Sequence, residues 1–163
     1  LIKVMATPIL LHPNDWSGVA LRLSGALLIG GLIGWTRQVA GKAAGLRIHM
    51  LVTVTTALLV LIPVQLNASQ PEGAISYVIQ GISTGVGFLG TGMILRQSDQ
   101  EAQRARVKGL TSASEIWVSA ALGACAGCGL WVLSLMGAVL VLMILTIVKH
   151  LERLIPVRLE KEI

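Results

Sequence analysis

Four side chains in this sequence could do chemistry in apolar surroundings: Arg37, Arg47, His49 and Glu115. Glu115 lies in the run LTSASEIWVSAALG, where a carboxylate has little water to reach. An acid in the middle of a membrane helix costs about 2.5–3.5 kcal/mol on the milder insertion scales. It must face a counter-charge or a wet cavity, or sit shallow enough to reach water. Arg37 and Arg47 flank a short polar connection, and His49 follows one turn into the next apolar run. The four together would form a polar mouth at one end of a membrane domain, with Thr36, Arg96, Lys108 and Thr111 at the same level. The plain alternative is that the arginines are interfacial anchors that snorkel to water. A lone imidazole without carboxylate or thiolate neighbours is no zinc cluster. A hard cation such as Mg²⁺ wants oxygen ligands, and intramembrane carboxylates are few here. No cofactor is expected; Mg²⁺ stays open as a ligand without an assigned site.

Two further spacings resemble chemical motifs. GVGFLG at Gly85–Gly90 fits GxGxxG, but a dinucleotide site needs a strand before it, a helix after it and a downstream acid. This copy lies inside an apolar run. Close packing explains it better: Gly81, Gly85, Gly87, Gly90 and Gly92 leave room for another helix, as do Gly30 and Gly34, and Gly123 and Gly127. Such spacing does not separate contacts within one chain from those of a homodimer. Cys125 and Cys128 form a CxxC, yet redox motifs sit at helix starts beside a βαβ unit. Here small-residue packing is the better reading, and their oxidation state stays open. No Walker A loop, nucleophile elbow or paired-carboxylate motif occurs, so no enzyme is expected.

The elements that must position these residues follow from composition. Of 163 residues, 54% are hydrophobic and 13% charged, with a mean hydropathy of +0.77. A soluble domain carries about 25% charged residues, so the composition argues for a polytopic membrane protein. The net charge of +5 comes in short clusters without interleaved aromatics, which excludes a nucleic-acid footprint. Five runs approach the ~20 residues that a bilayer core requires: 16–35, 46–66 with Pro63 near its end, 74–95, 110–127 and 129–148. Arg22 near the outer end of the first run would snorkel outward, and Gln80, Ser83 and Thr84 would bond between helices. Trp16, Trp35 and Trp131 fall near interfaces, as in an aromatic belt.

The connections alternate in charge. Arg37, Lys42 and Arg47, then Arg96, Arg104, Arg106 and Lys108, then Lys149, Arg153, Arg158 and Lys161 share one side, facing only Lys3. Positive-inside reasoning predicts an all-α fold of five transmembrane helices, N-terminus outside and C-terminus cytoplasmic. The expected organisation is an N-terminal extension (1–15), a transmembrane domain (16–148) and a short cytoplasmic tail (149–163). Pro8 interrupts the first apolar stretch, so no signal peptide is expected.

The ordered motifs RLSGALLIGGLIG, AGKAAGLRIHMLV, GVGFLGTGMIL and VKGLTSASEIWVSAALGACAGCGLW resemble the MgtC/SapB family of bacterial membrane proteins, over residues 22–148. The resemblance implies an inner-membrane, multi-pass protein linked to magnesium limitation. It also implies membrane-protein contacts, which for MgtC itself inhibit the F-type ATP synthase. The sequence is similar to short members without a soluble C-terminal domain. Two departures matter. The family has an acid just after the first glycines, where this chain has Thr36 in GWTRQ. It has a small or apolar residue where this chain has Glu115. Glu115 would then supply the missing carboxylate, pairing with Arg37 or Arg47. The expected function is non-enzymatic, in Mg²⁺ homeostasis, through contacts with the lipid bilayer and other membrane proteins. The alternative is a small cation transporter or channel with a polar cytoplasmic mouth.

Overall fold

A computed structural model describes residues 15–42, 44–66, 71–99 and 109–148, with backbone alone at 71–72, 95–99 and 148. The predicted N-terminal extension up to residue 14, the cytoplasmic tail, and Arg104, Arg106 and Lys108 lie outside the described residues, as does the Arg96 side chain. All described secondary structure is helical: α1 (Trp16–Val39), α2 (Leu46–Gln65), α3 (Pro71–Asp99), α4 (Leu110–Gly127) and α5 (Trp131–Met143), which ends in a π turn over Ile144–Val148. Every predicted run coincides with one helix. The limits differ most at α3, which extends beyond its predicted run at both ends.

Local signals account for the ends. The Asp15 carboxylate caps α1 by accepting from the Gly18 N–H at 3.0 Å. Gly41, Gly109 and Gly129 hold positive φ in the turns around α1, α4 and α5, a conformation that L side chains rarely adopt. Pro63 sits inside α2 and withholds a backbone donor one turn earlier.

The helices run alternately up and down. Gly30 and Gly34 of α1 meet Thr53 and Leu46 of α2 in reverse order, which is antiparallel pairing. Gly123 and Gly127 of α4 meet Thr53 and Ala57 in forward order, so α2 and α4 are parallel. Helix α2 is the hub between α1 and α4. Helix α3 packs on α2 and α4 from one side, and α5 packs on α4 and α1 from the other. The Ser134 hydroxyl donates to the Leu122 carbonyl at 3.0 Å, closing the α4–α5 hairpin.

The distribution of side chains is that of a membrane protein. Large apolar residues cover the outside, among them Leu28, Leu32, Leu51, Phe88, Leu135 and Leu140. The buried set includes Arg22, Arg37, His49, Thr53, Glu115 and Ser119. Among the described residues, α1 and α2 are long and apolar enough to cross a bilayer, and Trp131–Ile147 is apolar but shorter. Trp16 and Trp35 are exposed at opposite ends of α1. At about 1.5 Å per residue they stand roughly 28 Å apart, close to the ~30 Å hydrocarbon thickness. The partly buried Trp131 ring lies against Gly25 of α1.

Candidate functional site

The site is built where α1, α2 and α4 meet. Each helix carries a stripe with helical spacing. On α1 the buried residues are Arg22, Ala26, Ile29, Gly30, Ile33, Gly34 and Arg37. On α2, His49, Thr53, Thr56 and Ala57 line one face, and on α4, Ser112, Glu115, Ser119, Gly123 and Gly127 do so. The stripes meet because the glycines remove the bulk between backbones. A Cβ on Gly34 would stand 2.7 Å from Leu46 Cα, and one on Gly127 would stand 2.9 Å from Ala57 Cα. A pair of glycines four residues apart therefore grips α2 from each side. Thr53 and Thr56 point their hydroxyls back to the His49 and Val52 carbonyls, both at 3.0 Å. That removes any need for a partner across these close interfaces.

At one end of the bundle the stripes bring charges together. Arg37 is 7% exposed, Glu115 4% and His49 0%. Arg37 Nε forms an ion pair with Glu115 Oε2. Arg37 Nη2 also donates to Ser112 Oγ at 2.8 Å. His49 Nδ1 shares a 2.8 Å hydrogen bond with Ser119 Oγ, its direction set by the ring tautomer. At this end of the bundle two buried atoms remain without a hydrogen-bond partner among the described residues: Glu115 Oε1, and His49 Nε2, which has the Ala44 backbone beside the ring. Removing one partner of a buried ion pair costs about 3–5 kcal/mol, because the other charge is stranded. The pair thus locks α1 to α4 at this level.

At the opposite end, Arg22 is also buried and its Nη1 donates to the Gly127 carbonyl at 2.9 Å. A cation there meets the negative end of the α4 dipole. Arg22 therefore does not snorkel outward: a backbone acceptor at the end of α4 gives its guanidinium an inward partner.

Of the four polar residues singled out in the sequence, three come together and one does not. Arg37, His49 and Glu115 share the α1–α2–α4 interior. Arg47 is exposed, because α2 turns His49 toward α4 and Arg47, two residues earlier, away from it. Ser112 and Ser119 were overlooked. Their spacing from Glu115, three residues before and four after, marks the same helix face and was readable in the sequence.

The glycines divide too. Gly30, Gly34, Gly123 and Gly127 are pressed against backbone. Gly90 lies at an ordinary 3.5 Å from the Ala113 methyl, whereas Gly81, Gly85, Gly87 and Gly92 have nothing within 4 Å of an added Cβ. In place of bonds between helices, the Thr84 hydroxyl returns to the Gln80 carbonyl of its own helix at 3.1 Å. Both cysteines are free thiols; Cys128 is buried beside Val60 and Ala124. Among the described residues, no three His, Cys, Asp or Glu side chains are grouped as metal ligands.

Comparison with known proteins places this architecture. The model of the MgtC family matches residues 23–154. Protein SrpB of Synechococcus elongatus is 44% identical over 151 residues, covering 90% of this chain and 83% of that protein. The Escherichia coli K12 protein named "Putative magnesium transporter YhiD" is 35% identical over 136 residues, 80% of this chain and 60% of its own length. Protein MgtC of Brucella abortus is 38% identical over 109 residues, 66% of this chain and 42% of that protein. No solved structure matches.

Proposed function

The chain belongs to the MgtC family, and from that premise we propose that it is a five-span protein of the bacterial inner membrane, N-terminus outside and C-terminus cytoplasmic. Its role is non-enzymatic. It serves Mg²⁺ homeostasis by contacting other membrane proteins, of which the F-type ATP synthase is the candidate offered by the family resemblance. The reading of five spans and their direction rests on the alternating helices, the apolar exterior and the placement of Arg37, Lys42 and Arg47 around the α1–α2 turn.

One observation carries the choice of a contact protein over a conduit. The buried charges bond to helices rather than to a path: Arg37 to Glu115 and Ser112, and Arg22 to the Gly127 carbonyl. A transport route needs polar groups at several depths facing water. Between the two charged levels, Ala26, Ile29, Ile33 and Ala57 are buried and apolar, and the buried hydroxyls of Thr53, Thr56 and Ser119 are already bonded to the His49 and Val52 carbonyls and to the His49 ring.

A second reading has its own support. Glu115 Oε1 and His49 Nε2 are buried without a hydrogen-bond partner among the described residues. Such atoms could serve a passing cation, in keeping with the magnesium-transporter name carried by YhiD. Flux of Mg²⁺ and of K⁺ into proteoliposomes, with wild type and Glu115→Gln side by side, separates the two. The contact reading expects no flux above empty liposomes for folded protein. Saturable flux that is lost in Glu115→Gln would establish the transporter instead.

A further inference from the structure

Helices α2 and α3 border an open groove of about 620 Å³. Leu51, Thr55 and Leu59 form its α2 wall, and Val78, Ile82 and Leu89 stand opposite on α3. Gly81 and Gly85 also line it, and an added Cβ at either meets nothing within 4 Å. The volume lies within the roughly 300–1,000 Å³ of small-molecule sites.

Length and charge decide what fits. From Leu51 to Leu59 the groove runs about 12 Å along α2, and from Val78 to Leu89 about 16 Å along α3, at the ~1.5 Å rise of a helix. That is the depth of one leaflet, half of the roughly 30 Å hydrocarbon core, and a spanning helix would need all of it. Arg47, Leu51, Thr55 and Leu59 follow at four-residue intervals, so Arg47 extends the same wall by one turn. Its side chain is exposed, and the helix directs it toward the α2 N-terminus, away from the hydrocarbon. The groove therefore has an apolar length suited to an acyl chain and a cation at headgroup level.

We infer that the α2–α3 groove binds one anionic phospholipid of the leaflet on the Arg47 side, its acyl chain between Leu51 and Leu59 and its phosphate at Arg47. A basic residue at headgroup depth attracts anionic lipid over zwitterionic lipid. The inference rests on the reading of the chain as a membrane protein, but on neither the contact role nor the transport role.

The test uses the whole chain, purified in mild detergent and examined by native mass spectrometry. Phosphatidylglycerol and phosphatidylethanolamine of matched acyl chains are supplied together. Wild type is expected to retain one phosphatidylglycerol in preference. Arg47→Gln should reduce that preference roughly fivefold, the equivalent of one headgroup charge contact. Gly85→Leu and Gly81→Leu fill the groove from open positions and should each remove the retained lipid, with unchanged helical circular dichroism. Unaltered preference in Arg47→Gln, or undiminished lipid in either well-folded leucine variant, would overturn the site. So would a wild-type dimer without lipid that Gly85→Leu converts to monomer, since the groove would then belong to a second copy. Membrane sedimentation and detergent dependence are read first on the same cells. A chain found in the soluble fraction would overturn the membrane reading and the lipid site with it, whereas a membrane-bound chain without retained lipid overturns the site alone.

Discussion

The two sides of α2 are built from the same residue type to opposite ends. On the side of α1 and α4, Gly30, Gly34, Gly123 and Gly127 press against its backbone, and two buried arginines tie the outer helices together. On the side of α3, Gly81 and Gly85 border an open groove. Small residues thus permit close approach without compelling it. What closes the first interface is the complementary set beside the glycines: threonines that satisfy themselves, and charges that find partners across the helices. Helix α3 offers few such anchors along the groove, and its threonines bond only to their own helix.

The comparison can be broken most severely at the charges. Glu115→Ala strands Arg37 and should lower stability by about 3–5 kcal/mol, read as unfolding in detergent micelles. Combining Arg37→Met with Glu115→Leu should recover most of that loss, because neither charge is then left alone. A full loss in the double variant would show that the pair is needed for more than neutrality. The next effect is steric. Gly34→Ala places a methyl against Leu46 backbone and should cost about 1–3 kcal/mol, measured as a lower melting temperature. The smallest effect sharpens the contrast with the same chemical change. Gly85→Ala meets open space and should leave stability unchanged or raise it by at most about 1 kcal/mol through helix propensity. Equal losses at Gly34 and Gly85 would show that α3 is gripped as firmly as α1.

Much of this was legible in the sequence. Apolar run lengths located the five helices because uninterrupted apolar stretches of this length suit a helix and exceed a strand. The cost of an isolated carboxylate called for a partner or water at Glu115, while the choice of Arg37 over Arg47 came only with the packing of α1 on α4. The facing of individual residues was less accessible. Arg47 and His49 are two residues apart and point to different surroundings, which only the position of α4 decides. Arg22 was expected to reach water because charge suggests an interface. The Gly127 carbonyl that receives it is 105 residues away, and no local pattern announces it. Nor does sequence distinguish a glycine that is gripped from one that is bare, since both read as small residues at helical spacing.

The separation of these partners along the chain also bears on how the protein is made. Ser112, which receives Arg37, is synthesised 75 residues after it. At about 5–20 residues per second that interval lasts roughly 4–15 s. Throughout it Arg37 waits for Glu115 and Ser112, and the Gly127 carbonyl that Arg22 reaches is made later still. Among the described helices, α1 is therefore the one whose buried charge waits longest for its partner. Its final seat waits for the fourth, so biogenesis depends on whatever shelters a nascent helix until its late partner emerges.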